Sequence, residues 1–105
     1  EPVDIGHGWT QRHMFGSDDF DMWMREASAG RELPPYKYPD HCLTVLMIEG
    51  TALVTVGEDK TTKCLGDDQD ILQVPQGTRV QMKAETDIRM VVIFRPPISY
   101  LREDE

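Results

Sequence analysis

Cysteine is scarce in this 105-residue chain: only Cys42 and Cys64 occur, and no C-x-x-C pair is formed. A disulfide framework and a cysteine-based zinc module are therefore ruled out. A single bridge between the two on neighbouring strands stays open, but a chain of this length folds without a staple, so free thiols and a cytoplasmic setting are expected. No run approaches the ~18 apolar residues of a membrane span, and a soluble protein is expected. Positive charge is also in short supply. With 11 basic against 19 acidic residues and a net charge of -8, the chain lacks the clustered Lys and Arg that a nucleic-acid backbone demands. Ser17, Ser28 and Ser99 have no G-x-S-x-G setting, no glycine-rich phosphate loop opens a helix, and the carboxylate pairs fall in turns. Serine nucleophiles, nucleotide phosphate sites and paired-acid hydrolysis thus have no support.

What is present is a succession of short apolar runs divided by turn residues. Hydrophobic residues make up 39% and charged ones 29%, without a break in composition, which predicts one globular domain over residues 1–105. Residues 1–9 read as an irregular arm and 102–105 as an acidic tail. Thr10 to Phe15 predicts a short strand, ended by Gly16-Ser17-Asp18-Asp19. Phe20 to Ala27 alternates with Phe20, Met22, Met24 and Glu26 on one face and Asp21, Trp23, Arg25 and Ala27 on the other. Both faces carry large apolar side chains, so which one points inward is open. Pro34-Pro35 keeps the next stretch out of a helix. Strands then follow over Cys42 to Glu49, Thr51 to Val56, Thr61 to Leu65, Ile71 to Val74, Arg79 to Ala84 and Ile88 to Phe94. Spacing near ten residues, with glycine, proline or aspartate at each break, predicts a β-sandwich, jelly roll or small barrel.

Two strands are apolar on both faces. In Leu43 to Ile48 one face holds Leu43, Val45 and Met47 and the other Thr44, Leu46 and Ile48, and Met90 to Phe94 is unbroken. A half-solvated antiparallel strand alternates with polar residues, so a second covering is implied. Either the other sheet or a second subunit supplies it; a homodimer is the expectation.

The order of turns resembles the small single-domain cupins. Their first motif, G-x5-H-x-H-x3or4-E-x6-G, has counterparts in Gly30, the Pro34 to Asp40 stretch and Gly50; their second, G-x5-P-x-G-x2-H, has counterparts in Gly66, Pro75 and Gly77 with a loop three residues longer. The resemblance covers about residues 20–97 and implies an all-β jelly-roll or double-stranded β-helix barrel. It brings no metal site with it. The motif histidines fall on Tyr36 and Tyr38, the glutamate on Leu43 or Cys42, and the last histidine on Val80, so neither metal nor other cofactor is expected.

In place of a metal, period 2 predicts an apolar chamber lined by Leu43, Val45, Met47, Gln73, Val80 and Met82, with Met22 and Met24 from the earlier strand and Arg79 nearby. Tyr36 and Tyr38 at its end, with His41 beside them, are the candidate catalytic groups: two phenols can orient a carbonyl or act as an acid, and a histidine at the mouth can act as base. The expected ligand is a small apolar or carbonyl-containing molecule. The expected function is small-molecule binding, with isomerase, cyclase or lyase chemistry open. A homodimerising interaction module, similar to the dimerising cupin domains of inner-kinetochore C proteins, and a ligand-sensing domain are the alternatives.

Overall fold

The computed structural model describes residues 2–58 and 60–98. Ten strands are formed and, among the described residues, no helix: β1 (Val3–Gly6), β2 (Trp9–Gly16), β3 (Asp21–Ala27), β4 (Glu32–Lys37), β5 (Cys42–Glu49), β6 (Thr51–Val56), β7 (Lys60–Leu65), β8 (Ile71–Val74), β9 (Arg79–Ala84) and β10 (Ile88–Arg95). No helix long and apolar enough to cross a membrane occurs among them. Six strands form one sheet in the order β1-β2-β3-β10-β5-β8, and four form another in the order β4-β9-β6-β7. The strands of the large sheet run antiparallel to their neighbours, as do those of the small one. The expected all-β jelly roll is the observed architecture.

Apolar alternation and glycine turns explain most of this arrangement. Leu43, Val45 and Met47 of β5 meet Met90, Val92 and Phe94 of β10 in register, and all six are buried against Ala52, Val54, Val80, Met82 and Ala84 of the small sheet. Gly50 ends β5 with φ of 84°, and a Cβ there would run into the Asp87 carbonyl oxygen. At Gly66 a Cβ would lie 2.6 Å from the Glu49 Cα, so only glycine lets the β7–β8 turn cross the end of β5. The proline pair sits within β4, which is an edge strand with a register shift between Leu33 and Tyr36, where missing amide donors are tolerated.

Three expectations are corrected. The first residues are not an irregular arm: β1 pairs with β2 through a tight turn in which Gly6, His7 and Gly8 all have positive φ. In β3, Asp21, Trp23, Arg25 and Ala27 face inward and are buried, while Met22 and Met24 lie on the outer face, half-buried. Gln73 likewise faces outward, exposed and bonded to Thr44 at 2.9 Å. The acidic tail expected at 102–105 lies outside the described residues; Ile98 packs on the core.

The outer face of the large sheet carries an apolar row. Direct cross-strand partners put Met24, Val91, Leu46 and Ile71 side by side across β3, β10, β5 and β8, with Met22 and Ile93 in the adjoining row. The inner faces of β5 and β10 are covered by the small sheet. Among the described residues no second sheet lies on the outer one, and Ile71 is 64% exposed.

Candidate functional site

The inward phase of β3 brings a guanidinium into the barrel. Arg25 is 4% exposed, and its Nε and Nη2 donate to Gln11 Oε1 at 3.1 and 2.6 Å while Nη1 approaches Met82 Sδ at 3.5 Å. Gln11 is its direct partner on β2, which is why the two side chains meet. Among the described residues no carboxylate pairs with Arg25. Asp21, two positions further along the inward face, is instead 3.2 Å from His13 Nε2, and the His13 ring rests on Trp23 at 4.8 Å. A charge taken out of water without an opposite charge is expensive, so Arg25 is the feature of the interior that packing does not explain.

Arg25 and Gln11 stand at one wall of a cavity of about 340 Å³ between β4 and the inner side of β2 and β3. Tyr36, Tyr38 and Phe94 form the aromatic side, and Ile5 and His7 close it from the β1 turn. The rings are in sequence contact: Tyr36 meets Tyr38 edge-on at 4.6 Å and Tyr38 meets Phe94 at 5.4 Å. Tyr38 is pinned by its carbonyl, which accepts from Gly77 N at 2.9 Å, and Gln76 Nε2 donates to the Pro39 carbonyl at 3.1 Å. The second-motif turn therefore holds the tyrosine segment in place. Tyr36, 59% exposed, stands at the opening. The walls are mainly apolar with a few polar groups converging at one end, the usual make-up of a small-molecule site.

Of the expected site residues, Tyr36 and Tyr38 are brought together in this cavity. The others are not. Leu43, Val45, Met47, Val80 and Met82 are packed tightly in the core and leave no open chamber among them. Arg79 is exposed on β9 beside Pro35 and Thr55, at a separate hollow of about 310 Å³. His41 is buried rather than exposed at the mouth: its ring faces Phe94 edge-on at 6.4 Å, and its Nε2 finds no partner among the described residues. Met22, Met24 and Gln73 point away. The residues that replace them, Arg25 and Gln11, were within reach of the alternation in β2 and β3, but the apolar character of both faces of β3 hid its phase.

A second, larger hollow of about 450 Å³ lies at the other end of β3 and β10, beside Glu26, Glu49 and Asp87. Its one guanidinium, Arg89, is already paired with Glu26 at 2.8 Å. Cys64 is buried in β7 and Cys42 exposed, both as free thiols. Burial, with the nearby Asp70 charge adding to it, pushes the Cys64 thiol above its ordinary value of 9.0.

Two of the metal-ligand positions of the resembled motifs are cross-strand partners. Tyr36 lies directly across from Val80 on the neighbouring strand, and Leu43 is fully buried. Yet Leu43 and Val80 offer no donor atom, and no group of three or more His, Cys, Asp or Glu among the described residues could hold a metal ion. The residues present do not fit a metal centre of that kind.

A two-sheet antiparallel barrel with its cavity between the tyrosine segment and the large sheet defines a small cupin domain in fold. Solved structures of RmlC-like cupins and of other proteins share this fold. KdgF from Halomonas sp. superposes with a TM-score of 0.85 at 17% identity, covering 96% of this chain and 92% of that one. Ectoine synthase from P. lautus gives 0.80 at 21% identity, covering 99% and 76%, and an RmlC-like cupin from Shewanella frigidimarina gives 0.81 at 19%, covering 96% and 87%. No protein-family model matches the chain, and no curated protein matches it in sequence.

Proposed function

We propose that the chain binds a small, largely apolar molecule bearing one polar head, seated in the cavity beside Tyr36 and Tyr38 with its head toward Arg25 and Gln11. One observation carries this reading: a guanidinium 4% exposed lines a cavity of about 340 Å³ with an amide, not a carboxylate, as its partner. In a core kept for packing alone, an apolar residue at position 25 would be at least as stable. The two phenols in the same cavity can orient or protonate a bound carbonyl, so isomerase, cyclase or lyase chemistry is the reaction class the site supports. That one neighbour of the same fold is a synthase by name agrees with such a use. The reading invokes no metal, because two of the four ligand positions hold Leu43 and Val80.

Native mass spectrometry tests it. Protein as purified, or after incubation with a mixture of small aryl acids, amides and ketones, is expected to carry a non-covalent adduct that vanishes on denaturation. The bare chain mass in both preparations contradicts it.

A second reading concerns assembly and is compatible with the first. The apolar row Met24–Val91–Leu46–Ile71, left on the outer face of the large sheet, favours pairing with a second copy of this chain back to back.

A further inference from the structure

We propose that the polar head of the ligand is a carboxylate, read by the fork of Arg25 together with the amide of Gln11. The proposal rests on the pocket reading above and goes on to name the ligand class. An arginine has five N–H donors and no acceptor. Two of them converge on Gln11 Oε1 at 3.1 and 2.6 Å, and one on Met82 Sδ at 3.5 Å. One N–H remains on each terminal nitrogen. Because Gln11 presents its oxygen to Arg25, its amide nitrogen is left to donate as well, and no partner for it occurs among the described residues. Arg25 and Gln11 thus leave only donors free on their part of the wall, grouped around one guanidinium.

The chemistry of that wall selects among anions. Charge balance calls for a single negative charge, because among the described residues that line the cavity Arg25 is the one guanidinium, no lysine joins it, and His7 stands apart on the β1 turn. Planar, two-oxygen acceptors match the guanidinium fork, and a carboxylate meets both conditions. A phosphate dianion would bring a second charge with nothing to meet it, and the net charge of -8 adds to its cost. A neutral amide or ketone presents one acceptor oxygen and gains only an ordinary hydrogen bond. Beyond the head, Tyr36, Tyr38 and Phe94 form an aromatic side suited to a flat or aliphatic body. The class assigned is therefore a monocarboxylic acid with an apolar or carbonyl-containing body.

Calorimetric titration of the intact protein with 3-phenylpropionate, with 3-phenylpropionamide and with inorganic phosphate tests this directly. Tighter binding of the acid than the amide is expected, on the order of tenfold or more, with phosphate alone giving no heat. Arg25→Met should lower acid affinity to that of the amide. Gln11→Leu should weaken acid binding by a smaller factor, so the assignment does not depend on one variant folding. Equal affinity for acid and amide overturns the carboxylate assignment and leaves the pocket reading standing. Phosphate binding as well as the acid also overturns it, since the site would then be a general anion site. Binding of none of the three overturns both.

Discussion

Arg25 and Cys64 show how single buried groups record different demands. Cys64 is a core residue whose thiol is held protonated by its surroundings, chiefly by burial and then by Asp70. Its folded-state value is raised, so as the pH climbs past 9.0 the unfolded chain loses the thiol proton before the native one does. The stability it contributes is complete below that range and declines above it. Urea unfolding midpoints measured from pH 7 to pH 10.5 should fall at the alkaline end, and Cys64→Val should flatten that part of the curve. A wild-type midpoint with no alkaline decline beyond that of the variant would contradict the burial argument. Arg25 answers to a different demand. One amide oxygen is a weak return for the desolvation of its guanidinium, and this imbalance, absent at Cys64, supports the proposed site.

Among the strands, β3 sets which side chains reach the cavity and which reach the outer face. Its inward face holds Asp21, Trp23, Arg25 and Ala27, and its outward face holds Met22 and Met24. By apolar content alone the two faces would be exchanged. The most direct consequence is a sheet whose back is greasy across four strands, from Met24 through Val91 and Leu46 to Ile71. Light scattering at micromolar concentration should report twice the 12.0 kDa chain mass. Met24→Glu or Leu46→Glu, each placing a carboxylate in that row, should return the mass to that of one chain while leaving ligand binding intact. A wild-type monomer would mean that the outer face is solvated as it stands.

The same element separates what was legible in the sequence from what was not. Strands β5 to β10 could be read almost to the residue, because each is bounded by a turn whose chemistry is local: Gly50 and Gly57 with positive φ, Pro75-Gln76-Gly77, Glu85-Thr86-Asp87. β1 could not, because Gly6, His7 and Gly8 form the very hairpin turn that makes Val3–Gly6 a strand, and out of context they read as irregular chain. The tyrosine pair was legible from motif spacing. The open chamber was not: whether Leu43, Met47 and Met82 line a void or fill it depends on packing from the opposite sheet, which no periodicity records. Arg25 was hidden for the reason given above, since alternation fixes that residues share a face but not which face turns inward.

For the molecule as a whole, a cupin-fold barrel has filled its centre with side chains and kept a hollow to one side, between the edge strand β4 and the β2–β3 ladder. The positions that would carry a metal in the resembled motifs are used for packing by Leu43 and Val80 and for the cavity side by Tyr36. Its polar wall comes from a different part of the barrel, β2 and β3. On the proposal made above, a small acid docks against this wall. Nitrogen-15 NMR of the labelled protein, following the Arg25 Nε–H and the Gln11 side-chain amide during titration with 3-phenylpropionate, tests it most directly. Saturable shifts at those two groups and at the amides of Tyr36 and Tyr38 are predicted. Shifts confined to Ser28 and Arg89 at the other hollow, or none at Arg25 while the acid binds, would contradict the account.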